Sequence, residues 1–156
     1  MRTVVVALGA LLLVAGVGVV SAHMTDEELP AGPIRERHEL MEGIGKNAKV
    51  IGEAVKSGKF EPVAAAAEKI RASAAKIPGL FPKGSSDPKS RAKPEIWTQW
   101  DKFENTSKDL EAKAGSLATT AKASGDVPAA AQAMFGTCKS CHDDFRKPEK
   151  KGGDKS

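Results

Sequence analysis

The sequence has no tyrosine and only five phenylalanines and two tryptophans in 156 residues, so aromatics make up 4% of it. Aromatic side chains bring the largest buried areas per residue, and a core built from the remainder, rich in runs such as Ala64-Ala65-Ala66-Ala67, would be thin. That shortage suggests that a large apolar group from outside the sequence completes the core. Sustained basic blocks interleaved with aromatics are missing too. Lys and Arg alternate with Asp and Glu along most of the chain, so a net charge of +4 does not mark a nucleic-acid binder. Strand-like alternation and internal repeats are likewise absent. The length leaves no room for two ordinary domains, and 28% charged with 40% hydrophobic residues excludes disordered, collagen-like and multi-pass membrane classes.

The one long apolar run stands at the N-terminus. Met1-Arg2-Thr3 precedes an apolar stretch over 4–20, and Val20-Ser21-Ala22 offers the small residues that a signal peptidase reads. The expectation is a signal peptide over 1–22, cleaved after Ala22, and a periplasmic protein with no stable membrane association afterwards. An uncleaved anchor is the alternative, because the run is at the lower limit for crossing a bilayer.

From Pro33 onward apolar positions recur at helical spacing in four stretches separated by Pro and Gly. The first covers 33–56, with Ile34, Met41, Ile44, Ala48, Ile51 and Val55 in phase, and stops at Ser57-Gly58. The second opens near Pro62, carries Val63, Ala67, Ile70, Ala74 and Ile77, and ends at Pro78-Gly79. The third starts at Pro94 and carries Ile96, Trp100, Phe103, Leu110, Ala114, Leu117 and Ala121. The fourth opens at Pro128 with a seam of Val127, Ala131, Met134, Cys138, Cys141 and Phe145. Four such seams predict an all-α, antiparallel up-down-up-down four-helix bundle. A bundle domain over 23–146 then has a long Pro-, Gly- and Ser-rich surface loop over 78–93 and a charged, flexible tail over 147–156.

Cys138-Lys139-Ser140-Cys141-His142 is a C-x-x-C-H sequence, the signature of covalent haem c attachment. On a helix the two thiols lie three apart on one face, placed for two thioethers along a porphyrin edge, and His142 is one turn from Cys138, placed to bring an imidazole nitrogen to the iron. Other uses of these residues fit less well. A disulfide between helical residues three apart closes almost no loop, so it would stabilise little. A thioredoxin-like pair belongs beside a βαβ pattern. Zinc needs four ligands, and only His23 and His38 remain, with no second C-x-x-C.

The run C-x-x-C-H-x-x-F-R, from Cys138 to Arg146, at the end of the last helix of a bundle resembles the class II c-type cytochromes, the cytochrome c′ group. Leu80-Phe81-Pro82 and Ile96-Trp97 also look like family positions. Within that group the segment from His38 to Asn47 is most similar to the low-spin cytochrome c556 branch. The resemblance implies one covalent haem c, with Met41 as sixth iron ligand and Arg37 approaching a haem propionate, for which a guanidinium fork is suited. Topology agrees on Met41. First and last helices of such a bundle are antiparallel neighbours, which puts Met41 and His142 roughly 12 Å and 8 Å from one shared end at about 1.5 Å per residue. Met24 lies at the mature N-terminus and Met134 on the same helix as His142. Arg146, one turn after His142, places positive charge near the haem edge, and Phe145 packs beside the histidine. His38 offers a bis-His alternative to Met41 but stands one step off the seam. His23, as a mature N-terminal histidine, could join a copper-binding pair only with a further His.

These readings imply a monohaem electron carrier, not an enzyme, that exchanges single electrons with redox partner proteins of acidic surface and is a monomer or homodimer. Lys46, Lys49 and Lys139, with Lys147, Lys150 and Lys151 in the tail, are the candidate docking cations. The alternative is a five-coordinate, high-spin cytochrome c′ that binds nitric oxide or carbon monoxide, in which Met41 only packs.

Overall fold

The computed structural model describes residues 29–148. The expected signal peptide, His23, Met24 and the tail from 149 onward lie outside the described residues. Within them the chain is helical, with no strand beyond one isolated bridge pair, Ala92 with Arg146. Five α-helices follow in order: α1 Pro33–Ser57, α2 Val63–Ala74, α3 Glu95–Thr98, α4 Trp100–Lys122 and α5 Val127–Phe145, with a single 3-10 turn at Pro78–Leu80. The four long ones form the expected bundle: α1 packs on α2, α2 on α4, α4 on α5, and α5 closes the ring against α1.

Local chemistry explains most boundaries. Gly58 ends α1 in the left-handed region at φ 70°, a conformation that glycine adopts without a Cβ penalty. Asp126 caps α5 by accepting the backbone N–H of Ala129 at 3.0 Å, ahead of Pro128 in the first turn. Helix α2 stops at Ala74, three residues before the last apolar position of its seam. Pro78 cannot donate the hydrogen bond that would continue the helix, so residues 75–77 form a turn although Ile77 keeps helical geometry at φ −52° and ψ −53°. Ile77 is buried all the same. The third predicted helix is in fact two: Gln99 leaves helical geometry at φ −121° and ψ 45°, which separates α3 from α4. The Trp97 indole N–H on α3 is shared by the carbonyls of Phe81 and Pro82, each at 3.1 Å, tying this short helix to the preceding loop.

Every seam residue named for the second helix is buried. Along α1 the phase drifts, so Ala54 is buried in place of Val55. Two buried polar side chains are satisfied by hydrogen bonds: Ser107 donates to the Ala74 carbonyl at 2.8 Å, and Thr137 donates to Asp109 at 2.8 Å while accepting from Lys113 at 3.0 Å. The second set couples α4 to α5, and Lys113 with Thr137 holds the Asp109 carboxyl below its ordinary pKa.

The scarce aromatics are not spread through the bundle. Phe81, Trp100, Phe103 and Phe145 form a chain of ring contacts at one end, with centroids 4.9 Å (Phe81 to Phe103), 5.7 Å (Trp100 to Phe103) and 5.3 Å (Phe103 to Phe145) apart. That end also receives the start of α1 and the end of α5.

Candidate functional site

Cys138, Cys141 and His142 lie on the last two turns of α5. On the core-facing side of this helix Val127, Ala131 and Met134 are buried, Cys138 and Cys141 are only half-buried, and burial returns at Phe145. The opposite helix behaves alike: Leu40, Met41 and Ala48 on α1 are half-buried while Ile44 and Ile51 are buried. Of the adjacent pairs in the bundle, α1 and α5 approach each other at the fewest places. Two strips of half-buried apolar side chains, one of them carrying both thiols, therefore lie on the two neighbouring helices that pack least closely. Such a cradle fits a flat apolar group attached to α5 and covered by α1, and the donor set of two thiols and an imidazole fits haem c.

Burial favours the neutral form of all three donors. Burial raises the pKa of both thiols, and Cys141, next to Cys138 and Asp144, is pushed up to about 11. His142 stands at the surface, but partial loss of water contact lowers its pKa, and the guanidinium groups of Arg146 and Arg91 lower it further. A neutral imidazole is the form that binds iron.

His142 forms one wall of a groove of about 290 Å³ shared with Arg91, Lys93, Asp143, Arg146, Lys147 and Pro148. Arg91 and Lys93 were not among the residues singled out from the sequence, since nothing in the spacing of a long loop tells which helix end it will meet. The loop is no loose surface segment here. Its last residues bond the end of α5: Lys93 N–H to the Phe145 carbonyl at 2.9 Å, Lys147 N–H to the Arg91 carbonyl at 2.7 Å, and the Arg91 guanidinium to the Lys147 carbonyl at 2.9 and 3.1 Å. Lys147, expected to open a flexible tail, is thus held to the bundle by its backbone.

Arg37 is placed one turn before Met41, as anticipated, and its partners lie in the loop. It is buried, 5% exposed, and donates to Ser85 and Ser90. Burial lowers its pKa, against the opposing pull of Asp87. Arg146 sits exposed beside the groove. Phe145 turns its ring to Phe103 and lies under the Lys102 ammonium at 5.8 Å. His38 is half-buried and 3.8 Å from Glu42. Met134 is fully buried in the core. Lys46, Lys49 and Lys139 each have a carboxylate one turn away: Glu42 at 3.6 Å, Glu53 at 3.8 Å and Asp143, respectively.

The helical bundle and the thiol-thiol-imidazole set at its end define a haem protein of the c type. A family model described as Cytochrome C′ matches residues 32–146, and the chain belongs to that family. It is 32% identical to a cytochrome c-556 of Rhodopseudomonas palustris over 157 residues, covering 96% of this chain and 99% of the relative. It is also 32% identical to a cytochrome c′ of Rhodospirillum rubrum over 123 residues, covering 75% of this chain and 83% of that one. The crystal structure of cytochrome c′ from Thermochromatium tepidum superposes with a TM-score of 0.70 at 25% identity, covering 80% and 98% of the two chains. Proteins of this family bind one covalent haem c, transfer electrons or bind gases, and are typically periplasmic. The sequence has two cysteines for the attachment, Cys138 and Cys141. Among the described residues no helix is long and apolar enough to cross a membrane.

Proposed function

We propose that this chain is a periplasmic cytochrome of the c556 type that passes single electrons between protein partners. Cys138 and Cys141 would hold the haem by thioethers, and His142 and Met41 would supply the imidazole and thioether that bind its iron. The observation that carries this reading is the place of Met41: half-buried on α1, at the end of the bundle where α5 brings His142, with no competing methionine among the described residues except the core residue Met134. The haem iron supplies the one-electron couple. With His142 and Met41 both given to the iron, the chain's own side chains would exclude small ligands and keep reorganisation small. The full-length match to a cytochrome c-556 supports the same branch. An absorption spectrum of the exported protein in both oxidation states tests it: a low-spin iron with a thioether-to-ferric charge-transfer band is expected, and a high-spin ferric spectrum establishes the gas-binding alternative instead.

The partner is a redox protein with an acidic face, and it docks at the groove beside His142. Arg91, Lys93, Arg146 and Lys147 gather there around one carboxylate, Asp143, which Lys139 already engages. At Lys46 and Lys49 the charge is balanced by Glu42 and Glu53, so those positions contribute less field. Replacing Lys93 and Lys147 together by Gln is expected to slow oxidation by the anion hexacyanoferrate(III) about 3- to 10-fold at low ionic strength. Oxidation by the cation tris(phenanthroline)cobalt(III) should speed up, and both effects should vanish in high salt. An unchanged ratio of the two rates removes the groove as the docking face.

A further inference from the structure

We propose that Arg37 is a positioning residue for the axial methionine: through the strap formed by residues 81–93 it sets helix α1 against the end of α5 that carries His142. The inference rests on Met41 being the sixth ligand, and it gives Arg37 a role in the strap beside the propionate contact that family resemblance implies.

Three of the five guanidinium N–H groups are engaged within the protein. One terminal nitrogen donates to the Ser85 hydroxyl at 3.1 Å; the other donates to the Ser85 carbonyl at 2.9 Å and the Ser90 hydroxyl at 2.7 Å. Its carbon lies 4.7 Å from the centroid of the Phe81 ring. From these contacts two physical routes reach α5. Along the strap, the Ser90 hydroxyl also accepts the Ala92 N–H at 3.2 Å, and the neighbouring residues pair with Phe145 and Lys147 through the backbone bonds given above. The Lys93 ammonium adds a bond to the Asp143 carbonyl at 2.8 Å. Through the rings, Phe81 packs edge-on to Phe103, and Phe103 packs edge-on to Phe145. Both routes begin one turn before Met41 and end within five residues of His142.

α1 and α5 touch each other little, so beyond the packing of α1 on α2 and of α5 on α4 these indirect ties are what set their register at this end. A thioether is a neutral, weak iron ligand, and its occupancy depends on the position of its backbone relative to the histidine helix. Groups that orient a ligand without touching the metal change its binding by about 10- to 100-fold when removed. Arg37 holds such a place relative to Met41, from the same helix and one turn away.

The test compares three haem-loaded proteins by exogenous imidazole binding to the ferric form, which competes with Met41, and by the charge-transfer band. Wild type is expected to be low-spin and to bind imidazole weakly. Arg37→Gln removes the fork, and the Ser85→Ala, Ser90→Ala double variant removes both hydroxyl acceptors while leaving Arg37 in place. Each variant is expected to bind imidazole at least about 10-fold more tightly and to lose part of the band. Arg37→Lys, which keeps the charge but not the fork, should recover only part of the wild-type behaviour. Tighter imidazole binding in Arg37→Gln with wild-type binding in the double serine variant means that Arg37 acts on the haem directly, and it overturns the strap. Wild-type binding in both variants overturns any positioning role. A high-spin wild type fails earlier, at the Met41 reading itself, and removes the proposal with it. If Arg37→Gln does not fold, the serine variant, which disturbs no charge, decides alone.

Discussion

Met41→Ala is expected to turn the ferric protein high-spin and to open it to carbon monoxide in the ferrous state. A side chain that holds the iron with an advantage of about 2.7 kcal/mol over the open form suppresses any competing ligand about 100-fold, so its removal should raise the apparent affinity for carbon monoxide by about that factor. The change should cost the fold less than a core truncation. Met41 is half-buried where Ile44 and Ile51 on the same helix are buried, and deleting a partly exposed side chain leaves little enclosed cavity. Met134→Leu is the matched control: that methionine is fully buried on α5, so the exchange perturbs packing by less than about 1.5 kcal/mol and leaves the spectrum alone. Optical and magnetic spectra with carbon monoxide titration of the three proteins check this. A Met41→Ala protein with the spin state and carbon monoxide affinity of wild type would falsify axial ligation and leave Met41 as a packing residue.

The parts of this site that were legible in the sequence are those whose chemistry forces a local spacing. Two thioethers and an imidazole must come from neighbouring turns, so Cys138, Cys141 and His142 stand out within five residues. The helical seams show because burial on a helix repeats every three to four positions; Val63, Ala67, Ile70, Ala74 and Ile77 all followed that rule. The proposal of Met41 as a ligand takes one further step, from helix order to shared ends. The strap could not be read this way. Arg37 meets Ser85 and Ser90 across 48 and 53 residues, and Arg91 meets Lys147 across 56. Such pairs carry no period, and the closing bonds are largely backbone to backbone, which any sequence can make. The break at Gln99 was hidden for a different reason: no Gly or Pro marks it, and Trp97 is drawn to carbonyls of the preceding loop instead of continuing the axis of α4. A charged side chain on a helix normally points to water, so the burial of Arg37 could be found only from the fold.

Phe103→Ala is expected to be the most destabilising single change in this end of the bundle, by about 3–5 kcal/mol. The ring is 2% exposed and stands at the centre of the aromatic chain, in contact with Phe81, Trp100 and Phe145 together. Each such ring pair adds about 0.5–1.5 kcal/mol beyond the area it buries, and three are lost at once. For a domain of this size the fall in Tm is on the order of 15 °C, measurable by calorimetry on the haem-loaded protein. Phe135→Ala is the comparison: that ring is half-buried and has no such ring partners among the described residues, so its loss should cost visibly less. The low aromatic content therefore has a spatial meaning. Of the few rings available, four form one contact chain at the end where α1, the strap, α4 and α5 converge, and Phe145 lies three residues beyond His142, so packing and the proposed ligation share one block of structure. Phe103→Ala should accordingly weaken the charge-transfer band below the temperature at which the protein unfolds. Retention of the full band up to the unfolding transition, with a stability loss under about 1 kcal/mol, would show the cluster to be peripheral to both.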